Sequence, residues 1–270
     1  MSDLRIFSYL PNPRIWKATI AARLCGVDVE VRGSSPKELQ SWLWDFDAHR
    51  LSSDELARSG DTTTGKVGFS GTLHKTRAFI EAHPFGTVPA AFSPDGKTGI
   101  FESNSIMRAV ARLGEKRFPL YGRDAYEAAR VDSFLDASLV FARDSQIYLL
   151  SLISGTVTTE IHSRMRDGFK VYLGGINQSL LPNRDFLVGN SITIADICFV
   201  AELALFSNEK ARPGELIKKG LEPILHDGID AECPLAFAHF ARLTKHAAFA
   251  ADLEPYLKKI ESSRAAHTDR

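Results

Sequence analysis

Between His74 and Ser103 the chain gathers residue types able to hold a small peptide. It reads His74-Lys75, then His83-Pro84-Phe85-Gly86-Thr87-Val88-Pro89-Ala90, then Phe101-Glu102-Ser103. Val88 precedes a proline, which pushes its backbone towards the extended region and turns its N–H and C=O outward to pair with another peptide. A cis Val88–Pro89 bond, as X-Pro bonds adopt in some tight turns, would hold that edge rigidly. Glu102 offers a carboxylate to an ammonium group. Ser103 stands where a short strand gives way to a helix, predicted over Ser105 to Leu113, and the unpaired amides of a helix start attract a carboxylate. A pairing edge, an ammonium acceptor and a carboxylate cradle fit a short peptide with both ends free, as glutathione has.

These residues need a scaffold, and the flanking sequence supplies one. Leu4 to Tyr9 reads as a short strand, broken by Pro11-Asn12-Pro13. Arg14 to Cys25 has helical spacing and stops at Gly26, a glycine C-cap. Val27 to Val31 alternates and is a second strand. A short helix over Thr76 to Ala82 precedes Pro84, and the Gly-x-Val-Pro turn leads into a further strand. Between Pro36 and Thr72 lies more chain than such an α/β half needs. Pro36 to Phe46, with Leu39, Trp42, Leu43, Trp44 and Phe46, reads as a short packed helix, with a lid or a dimer contact as the alternatives. Ser52 to Gly71 reads as loop.

From Tyr121 onward helices dominate. They are predicted over Asp124 to Leu152, Ile161 to Leu180, Ile194 to Phe206, Leu235 to Arg242 and Phe249 to Ile260. Thr193-Ile194-Ala195-Asp196 is a capping box at the start of the most apolar of these. Residues 208–233 form a second irregular insertion, and Ser262 to Arg270 is expected to fray. The expected domains are 1–114, with an insertion at about 36–72, and 120–262, with an insertion at about 208–233.

The chain's 270 residues are 44% hydrophobic and 24% charged, with Lys+Arg and Asp+Glu at 33 each. This balance argues against a dedicated nucleic-acid surface or a polybasic membrane patch. Cys25, Cys198 and Cys233 suit a reducing compartment better than a disulfide scaffold. Met1-Ser2-Asp3-Leu4-Arg5 lacks a leader pattern, and no apolar run approaches the roughly 20 residues of a membrane span. The expectation is a cytoplasmic protein. The eight histidines show no paired metal spacing, so no metal is expected.

The run His-Lys, Pro-Phe-Gly-x-Val-Pro, Phe-Glu-Ser resembles the phi and theta classes of glutathione transferases. Tyr9-Leu10-Pro11-Asn12-Pro13-Arg14, Phe101-Glu102-Ser103-Asn104-Ser105-Ile106 and Phe186-Leu187-Val188-Gly189 also resemble the transferase-like domain of the elongation factor 1B gamma subunit. The resemblance implies a thioredoxin-like α/β N-terminal domain followed by an all-α helical-bundle C-terminal domain, and a homodimer. It implies that His74, Lys75 and Thr87 reach the glycine carboxylate of glutathione, that Val88 pairs its cysteinyl backbone and that Glu102 and Ser103 hold its γ-glutamyl end. Thr87 is a shorter donor than the Gln or Lys usual there.

Glutathione transfer needs a thiolate, and free thiols ionise near pH ~8.5 unless a donor or helix start lowers that value. Laid on the phi and theta classes through Lys17-Ala18-Thr19-Ile20, the chain has Asn12 where they carry a catalytic serine. Asn12 has an amide N–H but no hydroxyl, and Ser8 and Tyr9 are the alternatives. By itself Asn12 also reads as an N-cap before Pro13. The resemblance implies an electrophile site drawing on Tyr9, Phe141, Asp144 and Tyr148, although at helical spacing the last three also read as packing.

The leading expectation is therefore a detoxifying glutathione transferase that adds the thiolate to a small hydrophobic or aromatic electrophile. The rival is a non-catalytic interaction module of the elongation-factor type, which would be expected to carry a basic linker and a further domain. A deglutathionylating enzyme would need a cysteine at the start of the first helix.

Overall fold

Strand β1 (Leu4–Tyr9) buries Leu4, Ile6, Phe7 and Ser8, so both of its faces are covered, as in a central strand. The structure is a computed structural model and describes residues 2–58, 62–65, 69 and 71–268. Two compact units divide the chain, Met1–Phe118 and Pro119–Arg270.

In the first unit, helix α1 (Pro13–Cys25) starts at Asn12, whose side chain accepts from the Arg14 amide, and ends at Gly26. Gly26 has φ +67°, a left-handed conformation that glycine adopts without a Cβ penalty. Strand β2 (Val29–Ser34) pairs parallel with β1, from Leu4↔Val29 to Tyr9↔Ser34.

The inserted stretch departs from its predicted structure. After a 3-10 turn (Glu38–Ser41) come β3 (Trp42–Trp44), β4 (His49–Arg50), α2 (Ser53–Arg58), β5 (Thr62–Thr64) and β6 (Thr72–Lys75). They form a second four-stranded sheet in the order β4-β3-β6-β5. Trp42-Leu43-Trp44 thus obeys a period of two rather than the helical spacing of its neighbours. The pairing that decides this, Leu43↔His74 and Trp44↔Lys75, comes from residues far along the chain. Trp44 is buried edge-on against Phe7, Phe69 and Phe79, and its indole N–H donates to the Leu39 carbonyl at 3.0 Å. Helix α2 replaces part of the expected loop. Ser52 and Glu55 form its start, with the Ser52 amide and hydroxyl both donating to the Glu55 carboxylate.

Helix α3 (Arg77–Ala82) is capped by Thr76, and His74-Lys75 lies just before it on strand β6. Strands β7 (Ala90–Phe92) and β8 (Gly99–Phe101) complete the first sheet, ordered β2-β1-β7-β8, and α4 (Ser103–Leu113) packs against α1.

The second unit is helical: α5 (Ala125–Ser154), α6 (Thr159–Ser179), α7 (Ile194–Phe206), α8 (Pro213–Ile217), α9 (Ile229–Glu232), α10 (Pro234–Thr244) and α11 (Ala247–Thr268). Helix α7 is buried on nearly every face, which accounts for its apolar sequence. The Thr193–Asp196 capping box forms, and the Asp196 carboxylate also accepts from the Leu187 amide at 3.0 Å and contacts His239 Nε2 at 2.9 Å. Of the tail expected to fray, Ser262 to Thr268 are helical as the last turns of α11, and residues 269–270 lie outside the described residues. The insertion at 208–233 holds two short helices and is tied down by buried Glu209. That carboxylate accepts from the Ile224 and Leu225 amides at 2.9 and 2.7 Å and from the Tyr148 hydroxyl at 2.6 Å.

Candidate functional site

The register of the first sheet decides which residues share one end of it. Strand β7 runs antiparallel to β1 with Phe7 opposite Ala90, and β8 runs antiparallel to β7 with Ala90 opposite Phe101. The chain leaving β1 (Ser8 to Asn12), the chain entering β7 (Val88-Pro89) and the chain leaving β8 (Glu102-Ser103) therefore emerge along one edge. Three segments far apart in sequence meet there because alternate strand directions bring their ends together.

At the β1 exit, Ser8 and Asn12 are both buried, and Asn12 Nδ2 donates to Ser8 Oγ at 3.0 Å. Asn12 Oδ1 accepts from the Arg14 amide at 3.0 Å, so the predicted cap forms and one side chain serves both contacts. Tyr9 is half-buried and meets the Phe69 ring edge-on.

At the β7 entrance the Val88–Pro89 bond is cis, Val88 is half-buried and Thr87 is exposed. Lys75 straps this loop. Its ammonium donates to the Gly86 carbonyl at 2.7 Å and lies 4.8 Å from the Trp44 ring centroid, and burial pushes its pKa down. Gly86 has φ +58°, a left-handed conformation that favours glycine, and a Cβ there would press on the Ile80 side chain at 3.1 Å. His74 is buried on β6. His83, buried between the rings of Phe79 and Phe101, has its pKa pushed down by loss of solvent.

At the β8 exit Glu102 has φ +67° and ψ 122° and immediately precedes α4. A non-glycine residue held there costs of order 1–3 kcal/mol, and such outliers gather at ligand clamps. Glu102 is exposed, while Ser103 is buried at the first position of the helix. Beneath them lies a residue to which the sequence assigned no role. Lys17, on α1 and 1% exposed, donates to Ser103 Oγ at 3.3 Å and Asn104 Oδ1 at 2.8 Å. A lysine on the apolar side of a helix was the available signal.

Phe141, Asp144 and Tyr148 belong to the second unit. Phe141 is buried and stacked on Tyr172 with centroids 4.5 Å apart, and the Tyr148 hydroxyl is committed to Glu209. Asp144 accepts from Arg164 Nε at 3.0 Å and lines a cavity of about 240 Å³ with Ile147, Ile161 and Met165. Cys25, at the far end of α1, is buried and its thiol pKa is raised by that burial. Among the described residues no group of three or more His, Cys, Asp and Glu is arranged to hold a metal ion, and no helix is long and apolar enough to cross a membrane.

No family model matches the sequence. Among solved structures, the glutathione transferase URE2P8 from Phanerochaete chrysosporium, with oxidized glutathione, superposes with a TM-score of 0.62 at 15% identity, covering 97% of this chain and 98% of that one. A glutathione S-transferase-like protein from Lodderomyces elongisporus gives 0.63 at 17% identity, covering 93% and 95%. The chain has the glutathione transferase fold. Sequence relatives of this glutathione-transferase-fold chain divide into two groups. Elongation factor 1-gamma 1 of Oryza sativa subsp. japonica is 33% identical over 135 residues, 49% of this chain and 31% of that protein. The probable elongation factor 1-gamma 1 of Arabidopsis thaliana is 28% identical over 213 residues, 75% and 40% respectively. The glutathione S-transferase-like protein FUS3 of Gibberella moniliformis is 24% identical over 201 residues, 71% and 72%. The chain thus spans 31% and 40% of the length of these two elongation-factor relatives. The thioredoxin-like half of the fold carries the sheet edge described above, and the all-helical half follows it.

Proposed function

We propose that this chain is a glutathione transferase of the cytoplasm, a homodimer, that adds the thiolate of glutathione to a small hydrophobic or aromatic electrophile. The observation that carries the reading is the alignment Phe7–Ala90–Phe101, which brings Asn12, Val88 and Glu102-Ser103 to one edge of a glutathione-transferase fold.

In this reading the Val88 backbone pairs with the cysteinyl unit of the peptide. The Glu102 carboxylate accepts from the glutamyl ammonium, and the Ser103 hydroxyl with the free amides of α4 holds the glutamyl carboxylate. Lys75 has spent one N–H on Gly86, and an ammonium has three. The remainder, with His74 and Thr87, faces the glycine carboxylate. The thiol then lies by the start of α1, where the helix dipole and the second N–H of Asn12 stabilise the thiolate. Ser8, which accepts from Asn12, keeps its own proton as a further donor. Lowering the thiol pKa by one unit raises the thiolate fraction about tenfold at neutral pH. The thiolate attacks an electrophilic carbon, and the leaving group departs with its electron pair. Tyr9 remains a candidate for positioning that electrophile, whereas the Phe141 and Tyr148 side chains, buried within the helical unit, are committed to packing and to Glu209, and Asp144 is paired with Arg164.

The matches to elongation factor 1-gamma favour a second reading, a non-catalytic interaction module. Calorimetric titration with reduced glutathione, followed by assay with an activated aryl halide, separates the two. Binding that Glu102→Ala loses, with halide release above the uncatalysed rate, supports the transferase. Binding without turnover, or no binding at millimolar peptide, supports the module.

A further inference from the structure

We infer that Lys17 is a positioning residue for the carboxylate end of the peptide, acting through Ser103 from inside the domain. The inference rests on the glutathione-binding reading above. The Lys17 ammonium is 1% exposed and reaches Ser103 Oγ at 3.3 Å and Asn104 Oδ1 at 2.8 Å, the first two residues of α4. An ammonium only donates, so it occupies an acceptor lone pair of the serine oxygen. The serine hydroxyl is then oriented with its proton directed elsewhere, and the adjacent positive charge makes that O–H a stronger donor. Asn104 in turn fixes the ammonium, so lysine, asparagine and serine hold one another in register.

Both fields at this helix end have the same sign. The first-turn amides of α4 carry the positive end of the helix dipole, and Lys17 adds a full charge within hydrogen-bond distance of the same turn. Shielded from water, that charge is screened far less than a surface lysine would be. A carboxylate at Ser103 would feel both, whereas a neutral group there would feel little of either. Lys17 therefore selects for a peptide whose N-terminal unit carries a free α-carboxylate, without touching the peptide.

The test compares two peptides. One is glutathione. The other is its analogue in which 4-aminobutyrate replaces the glutamyl unit, so that only the α-carboxylate is missing. Calorimetry with Lys17→Met is expected to show glutathione binding weakened about tenfold and analogue binding unchanged within twofold, with Lys17→Arg restoring most of the preference. Equal weakening of both peptides, or of neither, overturns the inference. Asn104→Asp, which keeps the lysine but puts a carboxylate against it, covers the case in which Lys17→Met does not fold. It is expected to narrow the preference for glutathione, and an unchanged preference overturns the inference. If the unaltered chain binds glutathione and Glu102→Ala does not, a failure at Lys17 leaves the transferase reading standing. If the unaltered chain binds neither peptide, both fall.

Discussion

Asn12 carries two contacts on one carboxamide, and they are separable by substitution. Its oxygen caps α1 and its nitrogen donates to Ser8. Asn12→Asp keeps an acceptor for the cap but deletes the donor, whereas Asn12→Ala removes both. The expected result is a stability loss of about 1 kcal/mol in Asn12→Ala and less in Asn12→Asp, with the pKa of bound glutathione thiol raised in both. Urea denaturation and thiolate absorbance near 240 nm check the two effects. His83 gives a second residue-scale prediction. Its folded pKa lies below the ordinary value of about 6.5, so the unfolded chain takes up the proton first. The stability that neutral His83 contributes is complete above that value and is lost as pH falls below it. Unfolding free energy should drop between pH 7.5 and 5.5 in the unaltered chain and drop less in His83→Phe. Val88, Glu102 and Ser103 were legible from a proline and a strand-to-helix junction. Lys17 was not, because its partners lie more than eighty residues away on another helix.

At the scale of elements, signals that act locally were readable and pairings that depend on distant chain were not. Asn12 before Pro13, Gly26 and the Thr193–Asp196 box each mark a helix end through contacts within a few residues. Ser52-Ser53-Asp54-Glu55 is a signal of the same kind, and it starts α2 inside a stretch whose Ser and Gly content reads as loop. The second sheet had no such mark, since Trp42-Leu43-Trp44 becomes a strand only by pairing with His74-Lys75. Glu209 shows how a single buried side chain organises a whole insertion. Glu209→Gln replaces one of its two acceptor oxygens with a donor and sets it against a backbone amide or the Tyr148 hydroxyl. Leaving such a group unsatisfied costs about 1–3 kcal/mol. The segment between α8 and α9 should then open, and trypsin should cut after exposed Lys218 and Lys219 faster than in the unaltered chain, as mass spectrometry of timed digests would show.

For the molecule as a whole, balanced charge has a consequence independent of the site. With equal numbers of acidic and basic side chains, little net repulsion separates copies near neutral pH. The eight histidines add positive charge on acidification. Light scattering should therefore find the strongest attraction between molecules near pH 7, weaker attraction at pH 8.5, and a response to added salt that is smallest where the net charge is zero. The broad order of the chain, α/β half then helices, was legible because hydrophobic period and the glycine and proline stops between elements are local signals, while the second sheet inside the first half was not. Composition said nothing about whether the fold is used for chemistry or for assembly.

The backbone of Glu102 sets stability and recognition against each other. A glycine would sit at φ +67° without the steric cost a glutamate bears, but it has no carboxylate to offer. A population of variants selected only for survival at high temperature would drift towards Glu102→Gly, and one selected for capture of the peptide would hold the glutamate. On the glutathione-binding reading proposed above, the glutamate kept at this strained position marks the second pressure as the one the chain has answered to.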